Sequence, residues 1–157
     1  MHALLHPMQK RSNTREDLKG QLLIVLEKLD KLRFHLERSF RACNALDLNQ
    51  LTNDELDKLE ALTARFERTS DILTSHYLRL LDAIEGYEEG TLIDALNRAE
   101  KREIIVSAQD FLDMKVMRNR IAHEYATAEI NEIATRVLRW IPMLLESIER
   151  ARNYKVV

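Results

Sequence analysis

Apolar residues at Leu18, Leu22, Val25, Leu29, Leu32, Leu36, Phe40 and Cys43 recur at steps of three and four, which is the period of one helix face. A strand would need alternation, so the chain must open with a long helix starting near Arg15. A second stripe through Leu56, Leu59, Phe66, Leu73, Tyr77, Leu80 and Ile84 predicts a second helix of similar length. Thr52 with Glu55 forms a capping box at its start, and Gly86 to Gly90 is the turn at its end. With only 3 Gly and 2 Pro in 157 residues, the chain has little other turn chemistry, so its elements are few and long.

Thr91 with Asp94 starts a shorter helix through Leu92, Leu96 and Ala99, which ends in the basic residues Arg98, Lys101 and Arg102. Ile104–Ile105–Val106 breaks the period and reads as a hydrophobic bend, since no other stretch offers it a strand partner. Ser107 with Asp110 opens the next helix. A last helix begins near Thr127 and continues through Ile130, Ile133, Val137, Ile141, Leu144 and Ile148, with Pro142 inside it. The expected fold is all-α, an up-and-down bundle of four or five helices. Residues 1–14 are expected to be a flexible tail and 15–157 a single domain.

Several functions are disfavoured by composition. A formal net charge of −2 argues against coating nucleic acid by bulk attraction, so any RNA contact must be local. The single Cys43 excludes an internal disulfide and a thiolate metal cluster. His35 and His76 have no ligand partners at metal-binding spacing, so neither a metal nor another cofactor is expected. No apolar run is long enough to span a membrane, and Met1–Leu5 is too short for a signal peptide before Pro7, Lys10 and Arg11. A cytoplasmic protein without membrane contact is the expectation. There is no Gly-rich phosphate loop and no Gly-x-Ser-x-Gly.

The helix opened by Ser107 carries the residues with chemical interest. Phe111, Met114, Arg118, Ile121 and Tyr125 fall along one side of it, so Arg118 interrupts an apolar stripe. A guanidinium there is costly unless paired, which points to an interface, a cleft or a partner. His123 lies five residues on, about 140° around a regular helix, and is not beside Arg118. Either the helix unwinds near Ala122, with Thr127 as a fresh cap, or the two residues meet counterparts from a second subunit. An Arg and a His suit RNA cleavage without a metal. An imidazole, whose ordinary pKa is close to cellular pH, can move the proton of a ribose 2′-hydroxyl, and a guanidinium can stabilise charge building on the phosphorane-like transition state. One His serves as base or as acid, and a two-fold dimer supplies the other. The plainer alternative is a surface cation and a satisfied imidazole, with Glu124 paired to Arg120 at i, i+4 and Lys115 solubilising.

The run Arg118–Asn119 followed by Ile121, Ala122, His123, Glu124 and Tyr125 resembles the Arg-Asn-x-x-x-His-x-Tyr signature of HEPN domains, in particular the short prokaryotic members of HepT type. Arg65–Phe66–Glu67, and Leu96–Asn97–Arg98–Ala99 leading to Ile104–Ile105, are similar to the nucleotidyltransferase substrate-binding subgroup. The likeness covers roughly Leu18 to Ala151. It implies a HEPN-like helical bundle acting as the toxin of a toxin–antitoxin pair. Such a toxin is an endoribonuclease with Arg118 and His123 as catalytic pair, Asn119, Arg120 and Glu124 in support, and two motifs lining the cleft of a homodimer or higher homo-oligomer. It also implies a cognate minimal nucleotidyltransferase as antitoxin, adding AMP to the Tyr125 hydroxyl. Arg120 departs from many relatives, which carry an apolar residue there. The subgroup also allows a second expectation, a non-catalytic nucleotidyltransferase partner that binds nucleotide or substrate.

Overall fold

A computed structural model describes residues 14–124 and 130–156, with residues 121–124 described by their backbone alone. Among the described residues the secondary structure is entirely helical. Helix α1 (Arg15–Cys43) starts on a capping box in which Thr14 Oγ1 accepts from the Asp17 amide and the Asp17 carboxylate accepts from the Thr14 amide. The second column begins with α2 (Asn53–Asp71), capped by Thr52 and Glu55 as expected. It does not continue as one α-helix. A six-residue π-helical segment, Ile72–Tyr77, intervenes before α3 (Leu78–Ile84). The wider turn holds one residue more than α-winding would, so the core-facing stripe moves on by one. Leu80, expected in the stripe, is half-buried, and Leu81 takes the core position instead. Side-chain hydroxyls of Thr69, Ser70 and Thr74 bond back to the carbonyls of Arg65, Glu67 and Ser70, as is common where a helix bends or rewinds.

Gly86 closes α3 with φ +84°, and the Tyr87 amide reaches back to the Asp82 carbonyl at 2.9 Å. Helix α4 (Leu92–Lys101) starts on the expected Thr91/Asp94 box. It ends on the same return bond, from the Ile104 amide to the Ala99 carbonyl at 3.0 Å, but with Glu103 in the left-handed position at φ 62°. Glu103→Gly should therefore stabilise the fold by about 1 kcal/mol and raise Tm by roughly 2–4 °C, read by thermal melting. Ile104 and Ile105 are buried in the connecting bend. Helix α5 (Ala108–Glu124) opens where Ser107 Oγ accepts from the Asp110 amide, and α6 (Ile130–Asn153) runs through Pro142.

Five helical columns thus form the bundle among the described residues. The second column runs antiparallel to α1, since Arg15 Nε donates to the Ile84 carbonyl at one end and Arg65 donates to Ser39 Oγ at the other. Helix α6 runs alongside the second column. Trp140 stacks on Phe66 with ring centroids 6.2 Å apart, and Tyr77 Oη donates to the Ala151 carbonyl at 2.9 Å. Leu29, Leu36, Leu62, Phe66, Leu73, Val137 and Leu144 fill the centre. No described helix is long and apolar enough to cross a membrane.

The basic end of α4 is engaged inward. Arg98 and Arg102 clamp the buried Asp82 of α3 at 2.8 and 2.7 Å, and Arg102 also reaches Glu85 at 3.1 Å. Tyr154 Oη donates to the other Glu85 oxygen at 2.7 Å, and both guanidinium groups lie over the Tyr87 ring. One knot thereby ties α3, α4 and the stretch after α6 together.

Candidate functional site around Arg118

Helix α5 buries Phe111, Met114 and Met117 against the core, and Arg118 follows at the edge of that face with its side chain 19% exposed. The guanidinium reaches the end of α2, where Nη1 donates to Asp71 Oδ1 at 3.4 Å. That contact is long, and among the described residues it is the one hydrogen bond of this guanidinium. Asp71 is the last residue before the π-helical segment, and the same oxygen accepts from Ser75 Oγ at 2.9 Å. The widened turn therefore sits directly beneath the arginine's anchor.

One turn earlier on α2 stands Glu67. Among the described residues its Oε1 is buried without a hydrogen-bond partner. Desolvation pushes the Glu67 carboxyl above its ordinary value, and the Arg118 charge pulls it part of the way back. Arg118 thus faces two carboxylates of α2, a pairing that its place in an apolar stripe anticipated only as "a partner". The positions of Glu67 and Asp71 at i, i+4 were the available signal. A raised native pKa means the protonated acid is favoured by folding. The associated stability is complete below the ordinary carboxyl value and is lost as pH rises through the raised one. In urea titrations at a series of pH values, the native chain should lose stability relative to Glu67→Gln as pH increases. In Arg118→Ala the same loss should move to higher pH.

The other expected site residues are placed less fully. Asn119 is exposed. Arg120 donates to both oxygens of Glu132 on α6, each at 3.4 Å. The side chains of Ile121, His123 and Glu124, and the residues Tyr125 and Thr127, lie outside the described residues. Backbone winding nevertheless decides one question. Helix α5 continues through Glu124 and does not unwind near Ala122. On that uninterrupted winding His123 lies about 140° around from Arg118, so the two do not share a face of one helix.

A cavity of about 540 Å³ opens between α1, the π segment and α4, lined among others by Ile24, Ser75, His76, Arg79, Tyr87 and Arg98. Ser75 links it to Asp71 and hence to Arg118. Comparisons with protein-family models, curated proteins and solved structures gave no match.

Proposed function

We propose that this chain is a HEPN-type toxin, a metal-independent endoribonuclease that works as a homodimer. The observation that carries this reading is Arg118. It is a largely buried guanidinium with one long contact to Asp71 among the described residues, on a helix that continues as regular winding through Glu124, five residues beyond Asn119. Arg118 and His123, five residues apart on such winding, serve one phosphate only if a second copy contributes. In the reaction, the ribose 2′-oxygen attacks phosphorus and the bond to the 5′-oxygen breaks. His123 of one subunit takes the 2′-hydroxyl proton, while His123 of the partner subunit supplies one to the leaving oxygen. Arg118 holds the extra negative charge through its planar fork. The products are a 2′,3′-cyclic phosphate and a free 5′-hydroxyl.

The resemblance at Arg118–Tyr125 also supports a cognate minimal nucleotidyltransferase as antitoxin. In that step the Tyr125 hydroxyl attacks the α-phosphorus of a nucleoside triphosphate, takes up AMP and releases pyrophosphate. AMP beside Arg118 and His123 would occupy the place of the RNA phosphate. A cytoplasmic location follows from the same reading. Incubating the purified chain with RNA in EDTA should yield fragments ending in cyclic phosphate. Intact RNA under those conditions would overturn the nuclease assignment.

One observation favours a second reading. Glu67 and Asp71 surround Arg118 with negative charge, which opposes binding of a phosphodiester. A non-catalytic nucleotidyltransferase partner that binds nucleotide or substrate would retain the motif as an interface. It would copurify with the nucleotidyltransferase and leave RNA uncut.

A further inference from the structure

The outer face of α1 carries large apolar side chains that are exposed among the described residues, Ile24 at the rim of the cavity beside the π segment. Leu23, Ile24 and Phe34 are 66%, 67% and 58% exposed, while Leu22, Leu29 and Leu36 on the opposite face are buried. Along the outer face, Gly20, Ile24, Glu27, Lys31, Phe34 and Arg38 fall at alternating steps of four and three, the spacing of a coiled-coil seam. The seam is symmetric in its chemistry about the level of Leu29. Ile24 and Phe34 lie five residues to either side of it, and Glu27 and Lys31 lie two to either side.

That symmetry selects both an occupant and a direction. When two such seams meet antiparallel, Ile24 shares a layer with the partner's Phe34, and Glu27 shares one with the partner's Lys31. Each contact occurs twice. A parallel pairing would set Glu27 against the partner's Glu27 and Lys31 against the partner's Lys31, like charge on like. Among the described residues neither Glu27 nor Lys31 has an ion-pair or hydrogen-bond partner, so both charges are available. Gly20 has nothing within 4 Å of where a Cβ would stand, and in the antiparallel register its layer partner is the long side chain of Arg38.

We propose that the outer face of α1 is a two-fold, antiparallel interface with a second copy of this chain, centred at the level of Leu29. It stands apart from the nuclease reading: α1 packs on the second column and on α6, while α5 packs on α4 and α6, so this face is a contact between copies other than the cleft at Arg118. The antiparallel packing of α1 on the second column brings the middle of α1 level with the π segment, between the Arg15–Ile84 and Ser39–Arg65 contacts.

Light scattering and sedimentation of the full chain test this. The native chain should be a dimer across the micromolar range. Ile24→Glu and Phe34→Glu should each give a monomer with unchanged helical circular dichroism, since both side chains are already exposed. Glu27→Lys should raise the dimer Kd at least tenfold, and adding Lys31→Glu to it should restore the native value, because the swap keeps opposite charges in each layer. Oxidised Ile24→Cys/Phe34→Cys should run as a covalent dimer; Cys43 is fully buried and offers no surface thiol. A monomeric native chain, a dimer that survives both Glu substitutions, or no cross-link would overturn the interface. RNA cleavage by a dimer indifferent to these changes sinks the surface and leaves the nuclease standing. A dimer broken as described, with RNA left intact by the native chain, does the reverse.

Discussion

His123→Ala is expected to lower RNA cleavage by roughly 10²–10⁴-fold, the usual contribution of a positioned acid or base, while leaving the melting temperature in place. The effect should be large because the proposed dimer would lose its base and its acid together. Mixed dimers sharpen the test. A dimer of one native and one His123→Ala subunit keeps one imidazole where two are needed, so equal mixtures should show less than half the native rate. A rate that merely follows the fraction of native subunits would mean each copy works alone. Arg118→Ala should lose about 10²–10³-fold, as for removal of one donor to a charged transition state. Because Glu67 and Asp71 also lose their cation in that variant, its melting temperature should fall, and the rate must be measured well below it.

The second large effect is structural. Asp82→Ala removes the carboxylate shared by Arg98 and Arg102, leaving two guanidinium groups over one aromatic ring with Glu85 beside Arg102 and the exposed Asp94 near Arg98 to offset them. Breaking a buried ion pair from one side typically costs about 3–5 kcal/mol, which for a chain of this size lowers Tm by roughly 10 °C. Replacing the whole knot with apolar residues of similar volume should cost far less, because the penalty comes from the orphaned charges rather than from the lost attraction. Urea unfolding of the single and multiple variants separates the two. A loss below about 1 kcal/mol for Asp82→Ala would place the cluster among ordinary exposed salt bridges.

Much of the fold could be read from the chain because helical periodicity and capping are local. Thr52, Thr91 and Ser107 start their helices as their side chains dictate, and Gly86 closes α3 because it tolerates positive φ. The knot around Asp82 was not legible. Arg98 and Arg102 look like an ordinary basic helix end, and only packing of α4 on α3 shows that they point inward. The π segment was hidden for a related reason: Leu80 and Leu81 are interchangeable to a period of three and four, and tertiary burial chooses between them. At the site, the sequence singled out Arg118 as anomalous, and the structure supplied Asp71 and Glu67 as what it faces. The proposed pairing of Arg118 with His123 needs two chains, and no pattern along one chain displays such a pairing.

The widened turn at Ile72–Tyr77 carries a last consequence. It stores a single supernumerary residue within an otherwise regular column. Shortening the chain by one inside that turn would return it to ordinary winding and leave Leu78, Leu81 and Ile84 facing the same way, whereas the same excision elsewhere in the column would swing everything downstream by about 100°. Length is therefore negotiable at the very spot that anchors Arg118. The spacing between Asp71 and the lower half of the column can change there without rebuilding the rest of the molecule.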